Sequence, residues 1–123
     1  MSKYEAALIE LSRAKAAVSE LTTQIGDASK ASFDAQTADG GKYIDWLNMA
    51  YQMTYEETDW GGTEKSHVHH DGDPAEYLRE KCVHSLRAHE LIQLRKLARK
   101  RLGLAKRRIT VMANTLAKHQ EAA

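Results

Sequence analysis

Residues 91–120 read LIQLRKLARKRLGLAKRRITVMANTLAKHQ. This stretch holds nine lysines and arginines and no acidic residue. Its leucines and other apolar residues recur at helical spacing, which predicts an amphipathic helix along the whole stretch. The middle of the chain has the opposite charge, because residues 34–76 hold ten carboxylates against two lysines. Charge segregated in this way indicates contacts with partners or with the chain itself.

The basic helix is predicted to begin well before residue 91. Asp73-Pro74-Ala75-Glu76 combines an N-cap residue, a proline at the first helical position and an acid in the first turn. No proline follows, so we predict a helix over 73–120, with Gly103 marking a kink or a close crossing of another helix. One stripe of this helix is predicted to be buried: Leu78, Cys82, Ser85, His89, Leu94, Ala98, Leu102, Ala105, Ile109, Met112 and Leu116.

A second long helix is predicted at the start of the chain. Ser2 and Glu5 form a capping-box pattern, and the glycine pair at 40–41 ends the helical pattern. Between them runs a seven-residue repeat, which fits either an ordinary amphipathic helix in a bundle or a coiled coil. The two seam positions of the repeat are filled by Tyr4, Leu11, Val18 and Ile25 and by Ala7, Ala14, Leu21 and Ala28.

The insert at residues 39–72 separates the two helices and is acidic, aromatic and rich in histidine. Three of its residues have the spacing of a short helix: Ile44, Leu47 and Tyr51. Residues 51–55 alternate like a strand, and residues 63–69 offer a second strand. The insert is therefore predicted to form a short helix followed by a β-hairpin or an irregular cap.

Together these segments predict a mainly α fold. Two long antiparallel helices form a helical hairpin or coiled coil, joined by the short helix and the irregular or β-hairpin cap. At 123 residues the chain is expected to be a single helical domain. Its parts are an N-terminal helix over 1–38, the insert over 39–72 and the basic C-terminal helix over 73–120.

Histidines in the insert are the candidate metal ligands. His67 and His69 would point the same way on an extended strand, next to His70, and neutral imidazole suits zinc. The same histidines also fit an exposed polar tip of an acidic loop. We therefore predict no required cofactor, with zinc at these three histidines as the alternative.

Nothing in the sequence forms a catalytic arrangement. Cys82 is the only cysteine, and it lies on the apolar stripe, where cysteine behaves as a small buried hydrophobe. His89 is two helical turns away, about 10 Å, which is too far for it to act as a base. A non-enzymatic protein is therefore predicted. The single cysteine and the absence of a signal-like or membrane-length apolar run predict the cytoplasm.

The basic run is the candidate nucleic-acid interface. Its phosphate-binding residues would be Arg95, Lys96, Arg99, Lys100, Lys106, Arg107 and Arg108. Such a run binds phosphates without sequence preference. No aromatic residue is interleaved for stacking, and the acidic insert offers these cations an internal or intersubunit partner. A solvated or self-paired face is therefore the alternative, and membrane binding is not predicted because the apolar face lacks Trp and Phe.

Residues 82–109 read CVHSLRAHELIQLRKLARKRLGLAKRRI. They resemble the C-terminal part of small accessory, early-region proteins of tailed bacteriophages and prophages. Those proteins have a long N-terminal helix, a variable middle and a closing basic helix with a Leu-Gly-x-x-Lys-Arg-like stretch. Some carry Cys-x-x-Cys before that helix, whereas this chain has Cys82 and Ser85. The resemblance implies an accessory product that acts on a host component.

We therefore expect a non-enzymatic interaction protein, present as a homodimer in the host cytoplasm. It would bind and modulate a host protein or nucleoprotein complex, with inhibition as the expected effect. Its partner-binding residues would be Trp46, Tyr51, Tyr55 and Trp60, because aromatic residues dominate interface energies. The acidic insert would also allow mimicry of DNA toward a basic host surface. The alternative is a nucleic-acid-binding protein that uses the basic helix.

Overall fold

The computed structural model describes residues 2–51, 53–57, 63–67 and 73–122. In chain order these ranges contain α1 (Lys3–Thr37), α2 (Trp46–Tyr51), β1 (Met53–Glu57), β2 (Thr63–His67), α3 (Pro74–Lys81) and α4 (Val83–Ala122). Most of the described residues are helical, which confirms the predicted mainly helical fold. No helix in these ranges is both long enough and apolar enough to cross a bilayer.

Helix α1 begins and ends as the sequence predicts. The backbone N–H of Glu5 donates to the Ser2 hydroxyl at 3.2 Å, which caps the first turn. After the last turn Gly40 adopts a φ of +77°, and its N–H donates to the Thr37 carbonyl at 3.1 Å. Glycine adopts this left-handed conformation without strain. All eight predicted seam residues of α1 are buried or half-buried, which confirms the seven-residue repeat.

The chain forms two compact units. The helix-pair unit comprises Met1–Thr23 and Ile92–Ala123, and the insert unit comprises Gln24–Leu91. The long helices α1 and α4 contribute residues to both.

In the helix-pair unit α1 and α4 run antiparallel. Arg95 donates to the Thr22 hydroxyl at 3.3 Å, and Arg108 donates to the Glu10 carboxylate at 2.7 Å. Residue numbers therefore rise along α4 as they fall along α1, so the two helices are antiparallel. Ala105 is buried in this pair, 3% exposed, so a small residue lies where the two helices approach. The predicted hairpin-like pairing of the two long helices is confirmed.

The insert unit has a small core of its own. The core consists of Ala50, Tyr77 and Leu78, and Trp46, Leu47, Met49 and Leu86 pack against it. Helix α2 packs against α3. Asp45 caps α2 by accepting a hydrogen bond from the Asn48 N–H at 3.1 Å. The short helix predicted from residues 44–51 is therefore present, and it supplies part of this core.

The structure differs from the single predicted helix over 73–120. Asp73 caps α3 as expected, accepting from the Ala75 N–H at 3.0 Å. Cys82 then adopts extended dihedrals, φ −158° and ψ 115°, so α3 ends at Lys81 and α4 begins at Val83. The Cys82 N–H donates to the Leu78 carbonyl at 2.8 Å, and its own carbonyl accepts from Leu86 at 3.0 Å. The backbone groups of this one extended residue thus complete hydrogen bonds at the end of α3 and at the start of α4.

Two further expectations about the basic helix are corrected. Helix α4 continues through Gly103, and a Cβ at this position would meet no described heavy atom within 4 Å, so the expected close crossing of another helix is wrong and the expected kink stays a prediction. Leu94 and Leu116, both predicted on the buried stripe, are 49% and 44% exposed, and Leu91 is buried at 2% exposure. Ala98 follows Leu91 by one heptad, so the buried stripe passes through Leu91 and Leu94 lies beside it.

Strands β1 and β2 form a two-stranded antiparallel sheet. Met53 pairs with His67 at one end and Glu57 with Thr63 at the other. The link between the strands, residues 58–62, lies outside the described residues, so the turn of the expected hairpin stays a prediction.

Candidate functional site

The four aromatic residues predicted to bind a partner have different placements. Trp46 is half-buried and packs edge-on against Tyr77, with ring centroids 6.4 Å apart and the Lys81 ammonium 5.5 Å from the Trp46 ring centroid. Tyr51 is 42% exposed. Tyr55 lies in β1, and Trp60 lies outside the described residues. Trp46 thus supports the insert unit's core, and partner binding by these residues stays a prediction.

Tyr51 contacts a buried polar side chain, His89. Its hydroxyl is hydrogen-bonded to Nδ1 of His89, and the two rings lie 5.5 Å apart between centroids. His89 is 9% exposed. This contact satisfies the buried imidazole and holds the hydroxyl end of Tyr51 in place.

His67 alone of the three candidate metal ligands lies in the described part of the chain. His67 is the last residue of β2, and His69 and His70 lie outside the described residues. Within residues 2–51, 53–57, 63–67 and 73–122, no group of three or more His, Cys, Asp or Glu side chains is arranged to hold a metal ion. Zinc binding at these histidines stays a prediction.

Basic residues of α4 fall into two sets. Arg95 is half-buried against Thr22 and Arg108 is paired with Glu10, so both hold α4 to α1. The remaining predicted phosphate ligands are exposed: Lys96, Arg99, Lys100, Lys106 and Arg107. Solvent therefore reaches most of the candidate nucleic-acid interface.

A second face of α4 carries exposed apolar residues that the sequence analysis did not single out. Leu97, Leu104 and Val111 are 57%, 63% and 57% exposed, and their seven-residue spacing places them on one face. Arg101 and Arg108 occupy the positions between them. We call these five residues the leucine–arginine face. Its members follow one another at i, i+4, i+7, i+11 and i+14, so neighbouring side chains are adjacent on the helix.

This face borders an open groove between α1 and α4, within the helix-pair unit. The groove has a volume of about 490 Å³. Its lining residues are Ala6, Ile9, Glu10, Arg13, Ala14 and Ala17 of α1 and Ala98, Arg101 and Leu104 of α4. We call it the alanine groove. A smaller apolar groove of about 150 Å³, near Leu8 and Met112, has no charged residue in its lining. The alanine groove therefore combines the greater volume with the groups that give specificity.

A polar cluster in the insert unit is formed by side chains from α1, from α4 and from the break between α3 and α4. Ser32 and Ser85 are 2% and 5% exposed, and their hydroxyls lie 3.3 Å apart. The Cys82 sulfur lies 3.4 Å from the Ser32 hydroxyl. Gln36 donates to that hydroxyl at 2.9 Å and also exchanges two hydrogen bonds with the backbone of Ile44. The cluster ties the end of α1 both to the helix break and to the chain leading into α2.

These contacts change the acidity of the only cysteine. Burial acts to raise the pKa of the Cys82 thiol, but hydrogen bonds from Ser32, Ser85 and the backbone outweigh it, so the pKa lies below its usual value. The pKa of Tyr43 moves upward, through burial and through the negative charge of Asp45 and of the Cys82 thiolate. Cys82 is therefore half-buried with a polar contact at its sulfur, and not the small buried hydrophobe that the sequence predicts.

Replacing Ser32 by Ala is expected to slow alkylation of Cys82 at neutral pH. The thiolate is the reactive form, so losing the Ser32 hydrogen bond raises the pKa of the thiol and lowers the thiolate fraction. The measurement is the iodoacetamide rate against pH. The wild-type midpoint should lie below that of the same thiol in the urea-unfolded protein. Ser29→Ala, at an exposed serine of the same helix, is the control. A Ser32→Ala profile that coincides with the control would contradict the assignment.

No known protein family, curated protein or solved structure matches this chain.

Proposed function

We propose that this chain is a non-enzymatic interaction protein that binds a host protein or nucleoprotein complex and modulates it, with inhibition as the expected effect. The leucine–arginine face of α4 carries this proposal. Its exposed apolar side chains alternate with arginines, and protein interfaces combine apolar residues with an enrichment in arginine. Arginine is also among the residues that contribute most to binding energy. The resemblance to phage accessory proteins adds the expectation that the partner belongs to the host. Homodimerisation stays a separate prediction.

Affinity capture from a bacterial lysate tests the proposal. The wild-type protein should retain a stoichiometric partner, and Leu97→Glu/Leu104→Glu should reduce its recovery by at least about tenfold, because both substitutions place charge in the apolar face. Val83→Glu is the matched control, since Val83 is 67% exposed but lies in the insert unit. Circular dichroism should show equal helix content in all three proteins. No stoichiometric partner, or equal capture by all three, would contradict the proposal.

Nucleic-acid binding by α4 is the second candidate function. Lys96, Lys100 and Arg107 are exposed and lie at i, i+4 and i+11, so they form one row along the helix. Three phosphates neutralised by this row would give a slope of about −2.7 in log affinity against log salt for duplex DNA. Lys96→Glu/Lys100→Glu should flatten that slope. Binding no tighter than micromolar at low salt would exclude this role.

A further inference from the structure

We propose that the alanine groove binds an amphipathic helix of the partner, one whose apolar seam is flanked by acidic residues. This inference rests on the proposed function and names the chemistry of the partner. Three properties of the groove support it: its length, its small apolar floor and its unbalanced charge.

The groove has the length and floor that suit a docked helix. Its α1 wall runs from Ala6 to Ala17, about 17 Å at 1.5 Å per residue, or about three turns. Four of its lining residues are alanines: Ala6, Ala14, Ala17 and Ala98. Because alanine side chains are short, a third helix can approach the two backbones closely. A helix in such a groove contacts it through residues at i, i+3, i+4 and i+7.

Apolar residues on both walls provide contacts for the seam of that helix. Ile9 of α1 is 38% exposed and Leu104 of α4 is 63% exposed. Covering both removes apolar surface from water, which is the main favourable contribution to association. Leu97 and Val111 continue the apolar surface along α4 on either side of Leu104. The groove and the leucine–arginine face therefore form one continuous binding surface.

Charge decides which kind of helix fits. Arg13 of α1 and Arg101 of α4 both line the groove. Glu10 is the carboxylate in this lining, and it already accepts a hydrogen bond from Arg108 at 2.7 Å. The lining is therefore positively charged overall, and acidic residues beside the seam of an incoming helix would face these guanidinium groups.

A second copy of this chain is a poorer occupant for the same reason. Helix α4 is strongly basic, and α1 is nearly balanced, with four basic residues against five acidic ones. The sequence of α2 contains no charged residue, and α3 carries two acidic and two basic residues. Helix α1 does carry an acidic row, Glu20, Asp27 and Asp34, but its apolar seam is already buried or half-buried within the chain. The exposed apolar face of α4 is flanked by arginines, so neither long helix of a second copy offers a free apolar seam with an acidic flank. We therefore assign the groove to a different protein.

The probe for this inference is a pair of labelled synthetic helices. Both have leucine at the two seam positions of each heptad, and the flanking residues are glutamate in one peptide and lysine in the other. By fluorescence anisotropy the glutamate peptide should bind the full-length protein at least about tenfold more tightly than the lysine peptide. Its affinity should fall as salt is raised. Arg13→Glu/Arg101→Glu should reverse the preference.

Two adjacent alanines of α1 provide the matched control. Ala16 and Ala17 are both exposed, but only Ala17 lines the groove. Ala17→Tyr should weaken binding of the glutamate peptide by at least about tenfold, whereas Ala16→Tyr should leave it unchanged. Equal binding of the two peptides, or equal effects of the two tyrosines, would overturn the inference. A wild-type dimer in solution that Ala17→Tyr alone dissociates would also overturn it, in favour of a second copy.

Failure of this inference is distinguishable from failure of the proposed function. If a lysate partner depends on Leu97 and Leu104 but is captured equally by Ala17→Tyr, the partner binds outside the groove and only the inference fails. If the glutamate peptide binds in an Ala17-dependent way but no lysate partner is retained, the groove chemistry stands and the proposed function fails.

Discussion

Replacing Leu78 by Ala is expected to destabilise the protein by about 3 kcal/mol. Among the described residues Leu78 is the large side chain that is fully buried, at 0% exposure. It lies in the core of the insert unit with Ala50 and Tyr77. Truncation removes the transfer free energy of the lost methyl and methylene groups, and it leaves a cavity where the small neighbour Ala50 offers little side chain to fill it. Urea denaturation followed by near-ultraviolet circular dichroism measures the loss, because Trp46 and Tyr77 pack in this core.

The control for Leu78→Ala is Leu97→Ala, the same substitution at a leucine that is 57% exposed. A change within about 0.5 kcal/mol is expected there, as for ordinary surface substitutions. If Leu78→Ala cost less than about 1 kcal/mol, the core described for the insert unit would be wrong.

Helix α1 shows how much of the fold a repeating pattern determines. Its eight seam residues were predictable because a seven-residue spacing keeps side chains on one face and only one face is covered. Ser32 continues the series of Tyr4, Leu11, Val18 and Ile25 by one more heptad, and it is 2% exposed. Serine is polar, so the apolar periodicity that predicts the seam ends at Ile25. If the seven-residue spacing is extended whatever the residue type, it predicts that Ser32 faces α4.

The break at Cys82 had no comparable signal. No proline or glycine lies near it, and residues 82–85, Cys-Val-His-Ser, are only mildly unfavourable in a helix. Tertiary contacts accompany the break. Helix α2 packs on α3, and the Cys82 sulfur lies beside the Ser32 hydroxyl. Ser32 and Cys82 are 50 positions apart in the sequence, so local helix propensity does not predict their contact.

Predictions about the candidate site were limited for a related reason. The charges of α4 were evident in the sequence, but which ones remain exposed depends on the pairing with α1, which engages Arg95 and Arg108. The alanine groove also needs both helices, since Ala14 and Ala98 become parts of one surface only when the pair forms. The exposed heptad of Leu97, Leu104 and Val111 was visible in the sequence. The buried stripe predicted through Leu94 and Ala98 does not include these three residues.

Replacing Ala105 by Asp is expected to destabilise the helix-pair unit by about 3 kcal/mol or more, because a carboxylate would be buried where Ala105 is 3% exposed. The control is Ala117→Asp, at an exposed alanine of the same helix. It has the same loss of helix propensity, at most about 0.7 kcal/mol, but its carboxylate is not buried. Thermal unfolding followed by circular dichroism compares the two variants. Burial raises the pKa of the new carboxyl, so acidification should neutralise it and narrow the gap between the variants. Equal stability of the two variants at neutral pH would mean that α4 does not pack on α1 at Ala105, and without that packing the groove would lose its α4 wall.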